Sequence, residues 1–123
     1  MISYCPGSGE LIVDTRRSSL SKDILHPWPR PWATLFNDPW KHHAATEHVS
    51  VQRAPFRLGE GERLQLRVFL DRSILEVFAN SRLCLTQRIY PSRVDSLGVN
   101  LFSKGGEAQV MSLKVWDMDP IGL

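Results

Sequence analysis

The segment ERLQLRVFLD, residues 62–71, alternates apolar and polar side chains with a period of two. Such alternation is typical of a β-strand with one face against a core. Every second residue falls on the apolar face: Leu64, Leu66, Val68 and Leu70. The opposite face then carries Arg67 and Phe69, which become candidates for a contact surface.

More strands are expected on both sides of this segment. Near the start, ELIVDT has an apolar centre and follows the turn-forming sequence PGSG. Later candidates are SILEVFA, RLCLTQRIY, LGVNLFS and AQVMSLKVW. Turn signals separate them, at Gly59-Glu60-Gly61, Asn80-Ser81, Pro91-Ser92 and Lys104-Gly105-Gly106. No segment has a helical period, so the pattern predicts an all-β, antiparallel β-sandwich of two packed sheets that forms one module over residues 1–123.

The middle of the chain, residues 23–52, has a different composition. It holds four prolines, three tryptophans and all four histidines. Proline disrupts helices and central strands, so this part is expected to be a loop or an insertion. Its aromatic residues are Trp28, Trp32 and Trp40. They could form a platform that stacks on sugars, or they could cover the sandwich or pack against another domain.

Charge and composition exclude several functional classes. The formal net charge of +2 is too small to indicate nucleic-acid binding. No apolar stretch approaches the length of a membrane span, and the first residues do not resemble a signal peptide. His42, His43 and His48 do not complete a standard zinc pattern, so we expect no metal and no cofactor.

The two cysteines, Cys5 and Cys84, do not form a disulfide framework. Each has apolar neighbours in the sequence, which favours two small buried side chains over a disulfide.

Asp71 and Glu76 are the carboxylates that most resemble a catalytic pair. Glycosidases need two carboxyl groups within about 10 Å of each other. On one continuous strand, five residues would separate these two by roughly 16 Å and place them on opposite faces. We therefore expect Asp71-Arg72-Ser73 to be a structural bend or bulge between two strands, with no catalytic residue in the chain.

Several motifs occur together in a recognisable order. They are LIVDTRRSSLS, LRVFLDRSILEVFAN, LTQRIYP and LGVNLFSKGGEAQVMSLKVW. Together they resemble the C-terminal β-sandwich module of glycoside hydrolase family 32, which includes invertases, inulinases and levanases. The first motif is similar to the family's Asp-x-x-x-Ser-Ser segment. The resemblance covers about residues 10–21 and 54–116.

The resemblance implies a jelly-roll or concanavalin-like sandwich that lacks its first strands. It also implies a partner, because in this family an N-terminal five-bladed propeller carries the Asp nucleophile, the Glu acid/base and the Asp that stabilises the transition state. The implied role is a non-catalytic accessory module of a β-fructofuranosidase acting on sucrose or fructans. Candidate interface or sugar contacts are Arg67, Phe69 and Arg88. Homodimerisation is a further possibility, and family members occur outside cells, in vacuoles and in the bacterial cytoplasm.

Two alternatives remain open at this point. The chain could be a free-standing fructan-binding module, or it could carry a glycosidase name only by inheritance from its family. The family's nucleophile lies in a Trp-Met-Asn-Asp-Pro-Asn-Gly motif, and Asn37-Asp38-Pro39 repeats its centre. The flanking residues differ, so a turn is the favoured interpretation.

Overall fold

A computed structural model describes residues 1–21, 50–95 and 98–118. These residues form six strands and no helix. The strands are β1 (Ile2–Cys5), β2 (Glu10–Asp14), β3 (Val51–Pro55), β4 (Leu66–Asp71), β5 (Ile74–Ala79) and β6 (Leu83–Arg88). They make two three-stranded antiparallel sheets, ordered β1-β2-β3 and β4-β5-β6. The prediction of an all-β antiparallel fold is confirmed.

The first sheet is a hairpin joined by a third strand. The sequence PGSG makes the β1–β2 turn, in which the Gly9 amide donates to the Cys5 carbonyl at 2.8 Å. Gly9 has a φ of 64°, and a Cβ there would lie 2.6 Å from the Arg57 side chain, so only glycine fits without rearrangement. Strand β3 then pairs with β2, with Ala54 opposite Leu11.

Neither β1 nor β3 was expected from the sequence. Strand β3 includes Val51 and Gln52, which the composition assigns to the end of the proline-rich segment 23–52. Pairing with β2 stabilises this polar segment as a strand, although its own pattern is weak. Its last residue, Pro55, is tolerated because β3 lies at the edge of its sheet.

The hydrophobic core lies between the two sheets. Leu11 and Val13 of the first sheet meet Leu75, Val77 and Ala79 of β5. Phe56, which follows β3, completes the buried cluster. Alternate residues of each strand therefore face inward, as a β-sandwich requires.

Strand β4 departs from our expectation about its apolar face. Leu66, Val68 and Leu70 do face the core side, because they pair with the core-facing residues of β5. They nevertheless remain 38%, 46% and 58% exposed, and only Leu64 packs partly against the core. Strand β4 is an edge strand of its sheet and has a neighbouring strand on one side only.

The two strands expected near the C-terminus are not formed. Residues 98–118 have no strand, although LGVNLFS and AQVMSLKVW have strand-like composition. A strand needs a neighbour for its backbone hydrogen bonds, and no described strand pairs with this segment. The turn between them is present: Gly105 has a φ of 79°, and the Ser103 hydroxyl donates to the Gly106 carbonyl at 2.6 Å.

Both cysteines are free and exposed, so the expectation that they are buried is wrong. Alternation of side chains between the two faces of a strand explains why both cysteines are exposed. On β6, Leu83 and Leu85 take the core side, which leaves Cys84 on the outer face. On β1, Tyr4 takes the core side and Cys5 points away from it.

Asp14, at the end of β2, gives the fold a pH dependence. The Arg16 guanidinium and backbone amide both donate to its carboxylate, and these bonds lower the Asp14 pKa from 3.8 to about 2. A carboxylate with a lowered pKa stabilises the folded state above its unfolded pKa, and that contribution disappears as the pH falls through the folded pKa.

We therefore expect the stability difference between the wild type and Asp14→Asn to be constant above about pH 5 and to shrink between pH 4 and 2. Urea unfolding at a series of pH values measures it. A difference that stays constant down to pH 2 would contradict the role given to the Arg16 contact.

Candidate functional site

The outer face of the β4-β5-β6 sheet carries the candidate contact residues. Arg67 lies opposite Phe78 on β5, and Phe69 lies opposite Glu76. Arg88 of β6 lies opposite Ile74. Directly paired residues share a face of a sheet, so all three candidates point away from the core. The alternation of residues 62–71 placed Arg67 and Phe69 on this face, and the strand register agrees. The role of the three residues as contacts stays a prediction.

A shallow hollow forms at one end of this face. It has a volume of about 260 Å³ and is lined by Arg67, Phe69, Phe78 and Ser81. The Phe69 and Phe78 rings meet edge to face, with centroids 5.8 Å apart and an interplanar angle of 87°. Phe69 is 44% exposed, although aromatic side chains usually bury most of their surface. An exposed phenylalanine that packs on a half-buried one beside a guanidinium has the composition found at the centre of protein interfaces.

Arg88 does not belong to this hollow. Its partner Ile74 follows the β4–β5 turn, whereas Phe78 lies towards the other end of β5. The Arg88 guanidinium lies 5.6 Å from the centroid of the Tyr90 ring, within the range of a cation–π contact. The outer face therefore has two separate arginine–aromatic groups. The sequence pattern does not identify Phe78 and Ser81 as site candidates, because only the strand register shows that they lie beside Arg67 in the hollow.

The hollow is held in place by a network around Glu62. The carboxylate of Glu62 accepts hydrogen bonds from the Gly59 amide, the Asn80 side chain and Arg82. These bonds hold the Glu62 pKa below its usual value, with the Gly59 amide as the largest cause. The network ties the loop before β4 to the β5–β6 turn, where Asn80 and Ser81 adopt positive φ angles. It thereby fixes the position of Ser81 at the rim of the hollow.

The Arg82 guanidinium also lies 5.0 Å from the centroid of the Phe56 ring. The turn-forming pair Asn80-Ser81 is the one feature of the sequence that indicates this network.

The Asp71-Arg72-Ser73 sequence forms a tight hairpin turn between β4 and β5. Asp71 pairs with Ile74, so Arg72 and Ser73 alone make the connection. The Ser73 carbonyl accepts a hydrogen bond from the Ile89 amide at 2.8 Å, which anchors the turn to the end of β6. The geometry agrees with the expected bend between two strands.

Arg72 has a φ of 49°, a conformation that is strained for a residue with a Cβ. We expect Arg72→Gly to stabilise the fold by about 1 kcal/mol, because glycine adopts this conformation without strain. Differential scanning calorimetry measures it as a rise in Tm. Arg67→Gly is the matched control and should lower Tm, because Arg67 lies in a strand. A lower Tm for Arg72→Gly would show that the Arg72 side chain stabilises the fold by more than the positive φ destabilises it.

The hairpin turn changes the expected positions of the Asp71 and Glu76 carboxylates relative to each other. Because the chain reverses, Asp71 and Glu76 share the outer face and lie diagonally across the strand pair, about 7–8 Å apart in Cα positions. The expected separation on opposite faces is wrong. Neither carboxylate lines the hollow, and Asp71 is exposed at the turn. Glycosidases act on a bond held between two carboxyl groups, and the hollow offers no such cleft.

The Asp-x-x-x-Ser-Ser motif acts structurally within the described residues. The Ser18 hydroxyl donates to the Thr15 carbonyl at 2.7 Å and closes the turn after β2. The Leu20 amide donates to the Ser92 hydroxyl at 2.8 Å. This bond connects the segment after β2 to the segment after β6, and so links the two sheets at one end.

Several sequence candidates lie outside the described residues. These are Trp28, Trp32, Trp40, Asp38 and the histidines 42, 43 and 48. Within the described ranges, no three His, Cys, Asp or Glu residues are grouped so that they could hold a metal ion. The same residues include no helix that could span a membrane.

Comparisons with known proteins agree with the fold and with the motifs. The family model described as the C-terminal domain of glycosyl hydrolases family 32 matches residues 1–117. An acid beta-fructofuranosidase of Vicia faba is 45% identical over 76 residues, 58% of this chain and 12% of the relative. A fructan 1-exohydrolase of Triticum aestivum is 34% identical over 110 residues, 85% of this chain and 15% of the relative.

A levanase of a Bacillus species is 37% identical over 67 residues, 54% of this chain and 7% of the relative. The chain thus spans about a tenth of the length of the curated relatives that it matches. No solved structure is significantly similar to it. The match over residues 1–117, together with the sandwich of two antiparallel sheets, shows that the chain belongs to the C-terminal domain family of the family 32 glycosyl hydrolases.

Proposed function

We propose that this chain is the accessory β-sandwich of a β-fructofuranosidase-like enzyme, and that it supports a catalytic domain without catalysing hydrolysis itself. The observation that carries the proposal is the extent of the match. The C-terminal domain model covers nearly the whole chain, whereas the chain corresponds to about a tenth of each enzyme that it resembles. Residues needed for hydrolysis are then expected in the remaining part of such an enzyme.

The outer face of the second sheet is our candidate for the contact with that catalytic domain. Interface centres are enriched in aromatic residues and arginine, and Arg67, Phe69 and Phe78 provide both. The Glu62 network holds the rim of the hollow in a fixed position, which lowers the entropic cost of binding. Arg88 and Tyr90 extend the same face towards the β4–β5 turn.

A binding experiment tests this role directly. The Vicia faba protein would be truncated to remove the region that matches this chain, and titrated with the chain in a calorimeter. Its own matching region, expressed separately, is the positive control. We expect both to bind and to raise the Tm of the truncated protein. Binding by the relative's own region without binding by this chain would contradict the proposed contact.

Carbohydrate binding by the module alone is the second candidate. The observation in its favour is the Phe69–Phe78 pair, in which Phe69 is exposed, since aromatic rings can contact the apolar side of a sugar. Titration of the chain with sucrose, inulin and levan measures it. Binding that Phe78→Ala abolishes without a loss of fold would favour this candidate, whereas an absence of heat with all three sugars would exclude it at the concentrations used.

A further inference from the structure

Glu76 differs from the other half-buried acidic residues in the described part of the chain. Those residues are Glu10, Asp14, Glu62 and Glu76. The first three each form an ion pair with an arginine, at nitrogen–oxygen distances of 2.5–3.5 Å. Glu76 forms no ion pair and no hydrogen bond with any described residue. Its carboxylate is therefore the one of these four that the fold does not neutralise.

The position of Glu76 explains why no cation reaches it within the sheet. Glu76 lies on the middle strand β5, and the residues directly opposite it are Phe69 on β4 and Thr86 on β6. On the β6 side, Arg88 is diagonal to Glu76, and its guanidinium lies against the Tyr90 ring. Neither direct neighbour on the outer face can therefore form an ion pair with Glu76.

On the β4 side, an aromatic contact lies between Glu76 and an arginine. Phe69 is opposite Glu76 and Phe78 is opposite Arg67, so these four residues form a square on the outer face. The contact between the two phenylalanine rings occupies one diagonal of this square, and Arg67 and Glu76 occupy the other. Arg67 also forms no ion pair with a described residue. Two opposite charges therefore flank the aromatic pair, and each is left to a partner from outside.

Covering this face sets a requirement on the surface that covers it. Removing water from a carboxylate or a guanidinium destabilises a complex strongly unless an opposite charge pairs with it. A contact centred on the two phenylalanine rings removes water from both Glu76 and Arg67, which lie beside them. The covering surface must then supply a cation to Glu76 and an anion to Arg67. An arginine matches a carboxylate best, because it donates two parallel hydrogen bonds.

We propose that Glu76 is an anchor of the contact with the catalytic domain and binds an arginine or lysine side chain of that domain, while Arg67 binds a carboxylate. This inference rests on the proposed function, since it specifies the partner chemistry of the same face. The matched relatives continue for most of their length outside the region that this chain matches, so their own polypeptide can supply the partner surface. The two opposite charges also select one orientation, because a half turn of the partner on this face would bring like charges together.

Titration of the truncated Vicia faba protein with the chain tests the anchor. We expect Glu76→Gln to raise the Kd by about tenfold or more. The Tm of the free chain should not change, because Glu76 has no partner among the described residues. Glu107→Gln is the matched control, since it removes the same charge from an exposed residue outside the sheet, and its Kd should equal that of the wild type.

The outcomes separate this inference from the proposed function. Binding by the wild type and by Glu76→Gln with equal Kd would overturn the anchor and leave the accessory role intact. A large fall in the Tm of free Glu76→Gln would show a structural role and would also overturn the anchor. Binding by the relative's own region without binding by this chain would contradict both proposals.

Exchanging the two charges tests the orientation. The double variant Arg67→Glu with Glu76→Arg keeps the net charge, and circular dichroism verifies that it is folded. We expect its Kd to rise by about tenfold or more, because each charge then meets a like charge on the partner. A Kd equal to that of the wild type would overturn the proposal. Light scattering of the chain alone tests a second copy as the occupant: self-association that Glu76→Gln abolishes would assign the face to that copy and overturn the proposal.

Discussion

Replacing Leu11 by Ala should destabilise the chain by about 2–5 kcal/mol, because it removes a fully buried side chain from the centre of the core. Leu11 lies between the two sheets and contacts the cluster that includes Val77. A small domain has a total stability of about 5–15 kcal/mol, so the loss is a large fraction of the whole. Urea unfolding followed by circular dichroism measures the change.

The matched control for this substitution is Leu20→Ala. Leu20 is 72% exposed, and we expect its effect to remain within about 0.5 kcal/mol. Similar losses for both variants would show that the two sheets do not pack through Leu11. In that case the sandwich described here would not be the structure that determines stability.

Reversing the charge of Arg67 should weaken binding to the truncated Vicia faba protein by about tenfold or more, which corresponds to about 1.4 kcal/mol. Arg67 lines the hollow on the outer face, and Arg67→Glu places a carboxylate beside the Phe69–Phe78 pair. Isothermal titration calorimetry measures the affinity, and circular dichroism verifies that the variant is folded.

Arg17→Glu provides the control for this charge reversal. Arg17 is exposed in the turn after β2, outside the proposed contact face, and the substitution changes the net charge by the same amount. We expect no loss of affinity. Equal losses for Arg67→Glu and Arg17→Glu would indicate a general electrostatic attraction and would remove the outer face as the specific contact surface.

The second sheet could be predicted from the sequence because its strands carry their own signals. Alternation in residues 62–71 and the turn residues on either side of β5 were sufficient to identify β4, β5 and β6. Strands β1 and β3 lack such signals and depend on pairing with β2. Conversely, residues 98–118 have a strand pattern but no partner, which shows that pattern alone does not form a strand.

The candidate site could be predicted only in part. Strand alternation placed Arg67 and Phe69 on the outer face, because a period of two requires no knowledge of neighbouring strands. The register was needed to add Phe78, and the position of the β5–β6 turn was needed to add Ser81. The distance between Asp71 and Glu76 was misjudged for the same reason, since a two-residue turn reverses the chain between them.

Release of reducing sugar from sucrose and from inulin by the purified chain tests the central claim most directly. The claim is that this sandwich supports a catalytic domain and does not hydrolyse fructosides. We expect a folded sample to release no more sugar than the buffer control. Turnover that scales with the concentration of the chain, and that Asp38→Ala or Glu76→Gln abolishes, would contradict the account.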